Sequence, residues 1–224
     1  MELLLLLAMV TACAAAPQDL TDKMFTFPQE SNTDYVRLTT SRQNLGAVTA
    51  CLRSFTDLRR DHSLFSLATP SAANDFLFFK MAAADEFHLW ARDKQTSVVG
   101  QDYRLNTWHS ICSTWDATTG LMQLWLDGKP SSRKFVSSGS NINGPIIIVL
   151  GQDQDSYGGG LDTKQSFVGM MSDVHMWDYA LPPCEIKSYA NHLTFTPGNV
   201  LNWKALEFQI IGRVLIEDNV STCQ

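Results

Sequence analysis

Between Gly151 and Ser166 the chain reads GQDQDSYGGGLDTKQS, which gathers three carboxylates (Asp153, Asp155, Asp162) and three side-chain amides (Gln152, Gln154, Gln165). Oxygen donors at this density suit a hard divalent cation, since calcium takes roughly six to eight oxygens from carboxylates, amides and main-chain carbonyls. Gly158, Gly159 and Gly160 would let the segment bend around an ion. A solvated loop fits the same composition, because turns are polar and glycine-rich for reasons of their own. An EF-hand does not fit. Opened at Asp153, it would place Asp155 and Gly158 correctly, but Tyr157 and Lys164 fall where two further ligands are required, the second of them a bidentate Glu. A cation here must be held by a loop on a β scaffold, with ligands from elsewhere in the fold.

Other chemistries find little support. There is no Gly-x-Ser-x-Gly, no Cys-His dyad and no Glu-x-Asp-x-x-Glu of the kind that paired-carboxylate glycosidases carry on one strand, so the chain is not expected to be an enzyme. His62, His88, His109, His175 and His192 are scattered without metal-ligand spacing and are expected on the surface or in strands. Trp115, Trp177 and Trp203 lie within strand patterns and read as structural.

The elements that must position the loop are short segments of period two separated by turn residues, the pattern of an antiparallel sandwich. They include 35–38, 47–55, 76–81, 86–92, 108–115 and 121–126, the last ending in the hairpin signal Asp127-Gly128. Residues 145–150 form a continuous aliphatic run, expected of a strand buried on both faces, and lead straight into the acidic loop. A long strand over 167–179 follows it. Pro182 and Pro183 then open a segment in which Ile186 and Tyr189 or Ala190 have helical spacing, which predicts one short helix. Residues 199–217 read as two more strands. No repeat or low-complexity linker divides the chain.

Residues 1–16 read as a signal peptide, with an apolar stretch over Leu3–Val10 too short to span a bilayer and small residues after it. Residues 17–224 then form one domain of a soluble, secreted, extracellular protein. Of the 23 acidic residues Glu2 lies in the leader, so the remaining 22 against 17 basic residues leave a net charge of −5. With no basic cluster, nucleic acid is not an expected partner. Cys51, Cys112, Cys184 and Cys223 remain after removal of the leader, and four cysteines in an oxidising compartment suggest two disulfides in one of three pairings. Asn219-Val220-Ser221 is a glycosylation sequon with Asn219 as acceptor.

Several segments together resemble the pentraxin family, and within it the short pentraxins. They are Phe25–Pro28, Glu30-Ser31 with Tyr35-Val36, Leu126–Pro130, Leu150–Ser166, Met176–Asp178 and Asn199–Leu206. In the family signature His-x-Cys-x-[Ser/Thr]-Trp-x-[Ser/Thr], Cys112, Thr114 and Trp115 match, while Ser110 replaces His and Ala117 replaces Ser. The resemblance implies an all-β, two-sheet jelly-roll sandwich with one short helix, assembled as a cyclic pentamer.

It further implies two calcium ions per protomer. Asp153, Asp155 and Asp162 would give carboxylate oxygens, Gln154 a main-chain carbonyl, Gln165 an amide oxygen, and Asn74 a ligand from a second loop. The family's aspartate beside that asparagine is Ala73 here, which should weaken one ion unless Asp75 or water substitutes. Phosphocholine, or a related phosphate monoester or carbohydrate, would be the ligand, with Phe79 against its trimethylammonium, although Phe79 reads equally well as core. Asp93 and Gln95 are the residues near the acidic partner's place. The implied disulfide is Cys51–Cys112, cross-linking the sandwich and worth about 4 kcal/mol on the chain-entropy model. Cys184 and Cys223 are then expected to bond within the chain, the alternative being bridges between protomers. The implied role is acute-phase innate recognition of microbial or damaged-cell surfaces, reached through ligand headgroups, with complement as a further partner. The rival reading is a laminin-G-like calcium-dependent adhesion module for carbohydrate or matrix.

Overall fold

The computed structural model describes residues 16–83 and 85–219. All but the last residue of the expected leader therefore lies outside the described residues, as do Cys223 and the sequon's Val220 and Ser221. The strands begin with β1 (Lys23–Phe27), β2 (Tyr35–Leu38), β3 (Asn44–Leu45), β4 (Ala47–Phe55), β5 (His62–Thr69) and β6 (Ala72–Lys80). They continue with β7 (Phe87–Ala91), β8 (Lys94–Val98), β9 (His109–Asp116), β10 (Leu121–Leu126), β11 (Lys129–Pro130) and β12 (Lys134–Phe135). The last are β13 (Ile142–Asn143), β14 (Ile147–Leu150), β15 (Gly169–Trp177), β16 (Phe208–Ile211) and β17 (Leu215–Asp218).

Two antiparallel sheets carry the fold. One runs β11-β10-β9-β4-β15-β1-β17, with β12 also pairing β10, and the other runs β16-β2-β14-β5-β6-β7-β8. Alternate residues of both sheets meet in one core: Phe65, Leu67, Phe76, Phe78, Leu89 and Ala91 from the second sheet face Leu52, Ile111, Trp115 and Leu124 from the first. All four residues of β14 are buried, because its outer face is covered as well, as the aliphatic run predicts.

The single α-helix among the described residues, α1 (Pro183–Ala190), starts on a proline whose missing N–H belongs to the first turn. It lays Ile186 and Tyr189 on the outer face of the first sheet, against Cys51, Cys112, Trp125 and Trp177. Cys51 and Cys112 are disulfide-bonded, but they stand opposite one another on neighbouring strands β4 and β9, with Cα atoms 4.1 Å apart. The bond therefore staples one sheet beneath the helix and does not cross-link the two. The reason is alternation: Leu52 and Ile111 take the inward positions, so both cysteines point out.

One further expectation needs correction. Residues 199–205 form no strand; Trp203 opens a 3₁₀ turn capped by Asn202, and the two C-terminal strands come later. His62, His109 and His175 lie in β5, β9 and β15, as the strand half of the expectation has it, and all three are buried. The missed elements are mostly short or polar, such as β8, whose sequence KQTSV has too little apolar character to announce a strand.

Candidate functional site

The acidic loop leaves β14 at Gly151, whose φ of +89° lies in the left-handed region. A Cβ there would overlap the Phe27 ring, so the turn requires glycine twice over. Gln152 then points inward, and its Nε2 donates to the carbonyls of Ser31 (2.6 Å) and Asp34 (3.1 Å). Gln154 is also fully buried; its Nε2 donates to the carbonyls of Ser66 (3.1 Å) and Ile147 (3.2 Å), and its Oε1 accepts from the Gly158 N–H. These bonds fold the loop back over the outer face of β14 and β5. Gly158 passes so close to the Ile147 side chain that a Cβ would crowd it at 3.0 Å.

Asp162 caps a 3₁₀ turn over Thr163–Gln165 by accepting from the Lys164 N–H (2.9 Å). Arg60 closes the loop's far end, donating to the carbonyls of Lys164 (2.8 Å) and Ser166 (2.6 Å). Beneath that end, buried His62 lies against Phe167.

Inside this frame the carboxylates crowd one another. Burial, and then the charge of Asp155, push Asp153 up to about 7. Burial, and then Asp162, raise Asp155. Asp153 Oδ1 and Gln165 Oε1 are buried oxygens that no donor meets, and so is Asn74 Oδ1. Buried acceptors are nearly always satisfied, so each of these three oxygens, like Gln152 Oε1 in the same loop, keeps a lone pair without a donor that a positive charge would suit. Among the described residues no three His, Cys, Asp or Glu side chains are arranged to hold a metal alone. A cation here must draw on amide and main-chain oxygens too, which fits calcium and not zinc.

Asn74 comes from β6, which pairs with β5; Ser66, the anchor of Gln154, stands opposite Leu77 three residues further along. The β5–β6 register shifts between Leu67 and Thr69, so Asn74 sits in an irregular stretch. Two contacts hold that stretch. The Asn74 N–H donates to Asp93 Oδ1 (2.8 Å), and wholly buried Asp75 accepts from Thr69 Oγ1 (2.6 Å) and Arg92 Nη1 (2.6 and 2.7 Å). Asp75 is thus committed to an ion pair and is no substitute for the carboxylate missing at Ala73. Sequence reasoning missed Arg60, Arg92 and the inward roles of Gln152 and Gln154, none of which carries a local signal.

Phe79 is buried, 5% exposed, with the Trp90 ring edge-on to it at 6.2 Å between centroids. Cys184 is exposed at the start of α1, and its expected partner Cys223 is outside the described residues. The Asn219 N–H donates to the Asp22 carbonyl (2.8 Å).

The Pentaxin family model matches residues 23–218. The chain belongs to the pentraxin family. C-reactive protein of Sus scrofa is 39% identical over 219 residues, 97% of this chain and 96% of that protein. Serum amyloid P-component of Mus musculus is 39% identical over 203 residues, covering 90% of this chain and 89% of its own. The native heptameric SAP-like pentraxin of Limulus polyphemus superposes with a TM-score of 0.84 at 24% identity, covering 92% of this chain and 99% of that one, a likeness of fold. Membership over nearly the whole described chain sets the laminin-G-like reading aside as a description of family.

Proposed function

We propose that this pentraxin is a secreted, calcium-dependent pattern-recognition protein of innate immunity that binds phosphate monoesters of the phosphocholine kind on microbial or damaged-cell surfaces. The observation that supports the reading is that oxygens of Asn74, Asp153 and Gln165 are buried without a donor while Asp155 repels Asp153 and Asp162 repels Asp155. Asn74, Asp153, Asp155, Asp162 and Gln165 would hold two calcium ions through side-chain oxygens, and Gln154 through its main-chain carbonyl, its amide being spent on Ser66 and Ile147. Bound calcium would supply open coordination positions for anionic ligand oxygens. The protein's own part is to keep the loop clamped by Gln152, Gln154 and Arg60, so that little ordering remains to be done on binding.

The relatives support assembly of identical protomers, and a ring that presents its sites on one face would add avidity to weak single contacts. We take the ring to have five members and residues 1–16 to be a cleaved leader; among the described residues no helix is long and apolar enough to cross a membrane. Nothing in the chain's chemistry calls for catalysis. Retention on immobilised phosphocholine in calcium and elution by chelator are the expected results, and retention that survives EDTA overturns the mechanism. Light scattering should give a mass of about five protomers; a monomer would revive the adhesion-module reading.

A further inference from the structure

Lys80 ends β6 on the inward side of its strand, two residues after Phe78 and four after Phe76, so a lysine closes a row of core phenylalanines. It is only 4% exposed. Its Nζ donates to the carbonyls of Met81 and Ala83 (2.7 Å each) and lies over the rings of Phe87 and Tyr103, 5.3 and 5.2 Å from their centroids. Buried lysines are rare without a counter-charge, and this one forms no ion pair within the described residues. The carboxylates that act on it do so at longer range, and each is engaged elsewhere: Asp85 with the Gly100 N–H, Asp61 with the Ala82 N–H and Glu86 with His88. Burial accordingly lowers Lys80 to about 8. Of the three ammonium protons two are spent on carbonyls, and one remains.

Beside this ammonium lies a cavity of about 150 Å³, walled by Leu58, Met81, Tyr103 and Leu105, with Lys80 and solvent-exposed Arg59 also lining it. Leu58 and Leu105 pack against the core behind it. No carboxylate and none of the expected calcium ligands is among the described residues that line it. We propose that this cavity is a ligand site separate from the acidic loop, and that it takes a small organic carboxylate with a short apolar body, the carboxylate pairing with Lys80 and Arg59. An apolar cavity of this size holds a benzene, which sets the body at about six carbons. A phosphate of two charges would lose more hydration among leucine and methionine walls than one lysine and one arginine return. A single carboxylate matches the one free ammonium proton and the guanidinium fork, and leaves its hydrocarbon to the walls.

The test is calorimetric titration of the full-length protein with hexanoate, acetate and 1-hexanol, in saturating calcium and again in EDTA. Hexanoate should bind about tenfold or more tightly than either acetate, which lacks the body, or hexanol, which lacks the charge. Lys80→Met keeps the stem and should weaken hexanoate about tenfold; Arg59→Gln, on an exposed residue, should weaken it about threefold. Because Lys80 also ties down the hairpin after β6, the Tm of Lys80→Met is measured first, while the wild-type ligand comparison and Arg59→Gln test the charge without touching the core. Acetate as tight as hexanoate overturns the cavity, hexanol as tight as hexanoate overturns the ion pair, and an unchanged affinity in folded Lys80→Met overturns the role of Lys80. Hexanoate binding that disappears in EDTA places the carboxylate on calcium and overturns the separate site, whereas binding that persists in EDTA supports it whatever becomes of the calcium reading.

Discussion

Asp153 joins two properties that water-exposed loops do not combine, a nearly complete burial and a neighbouring charge of the same sign. Asp153→Asn keeps the shape and removes the charge, and should lower calcium affinity about tenfold or more in calorimetric titration. Under the loop's far end His62 is held by burial down to about 4, and on the opposite sheet His175 is lowered to about 4 for the same reason. A histidine whose folded value lies below its unfolded one contributes stability above about 6.5 that is lost as pH falls toward 4, because the unfolded chain then binds the extra proton. Urea midpoints should accordingly drop between pH 7 and pH 4.5, and His62→Gln should show a shallower drop than the wild type. Raised Asp153 acts in the opposite sense in chelated protein, and the comparison of variant with wild type cancels it.

The strand β14 matters less for its own burial than for where it stops. At Gly151 a side chain would face both a left-handed backbone and the Phe27 ring, so Gly151→Ala should destabilise the fold by about 2 kcal/mol or more and weaken calcium uptake in parallel. On the neighbouring hairpin, Arg92→Met would leave the Asp75 carboxylate without its counter-charge, with the Thr69 hydroxyl still donating to it, where no water reaches it. Breaking one side of such a pair costs about 3–5 kcal/mol, readable as a lowered Tm. The same change should loosen the irregular stretch that carries Asn74, and calcium affinity should fall with it.

The molecule has two dissimilar outer faces, one covered by α1 and the other by the acidic loop. The Cys51–Cys112 bond belongs to the helix face, where it closes a stretch of 61 residues between β4 and β9. Replacing both cysteines with serine should cost about 4 kcal/mol in denaturant unfolding, yet leave calcium affinity almost unchanged, since the staple lies on the far sheet from the loop.

Period-two patterning in β4 and β10, the aliphatic run of β14 and the prolines before α1 are local signals, and each announced its element because backbone geometry repeats over a few residues. The acidic, glycine-softened loop was legible for the same reason, as was the family to which its wording belongs. Orientation and partnership were not, because they depend on contacts distant in the chain: Gln154 finds Ser66 88 residues away, and Arg60 finds Ser166 at 106. Whether Cys51 and Cys112 join sheets or strands, and whether Asp75 is spare or spent, both turn on register between strands. Residue types and spacing settled which oxygens were on offer; strand pairing alone settled which of them remain without a donor, since hydrogen bonds in a sheet are long-range facts that no short window contains.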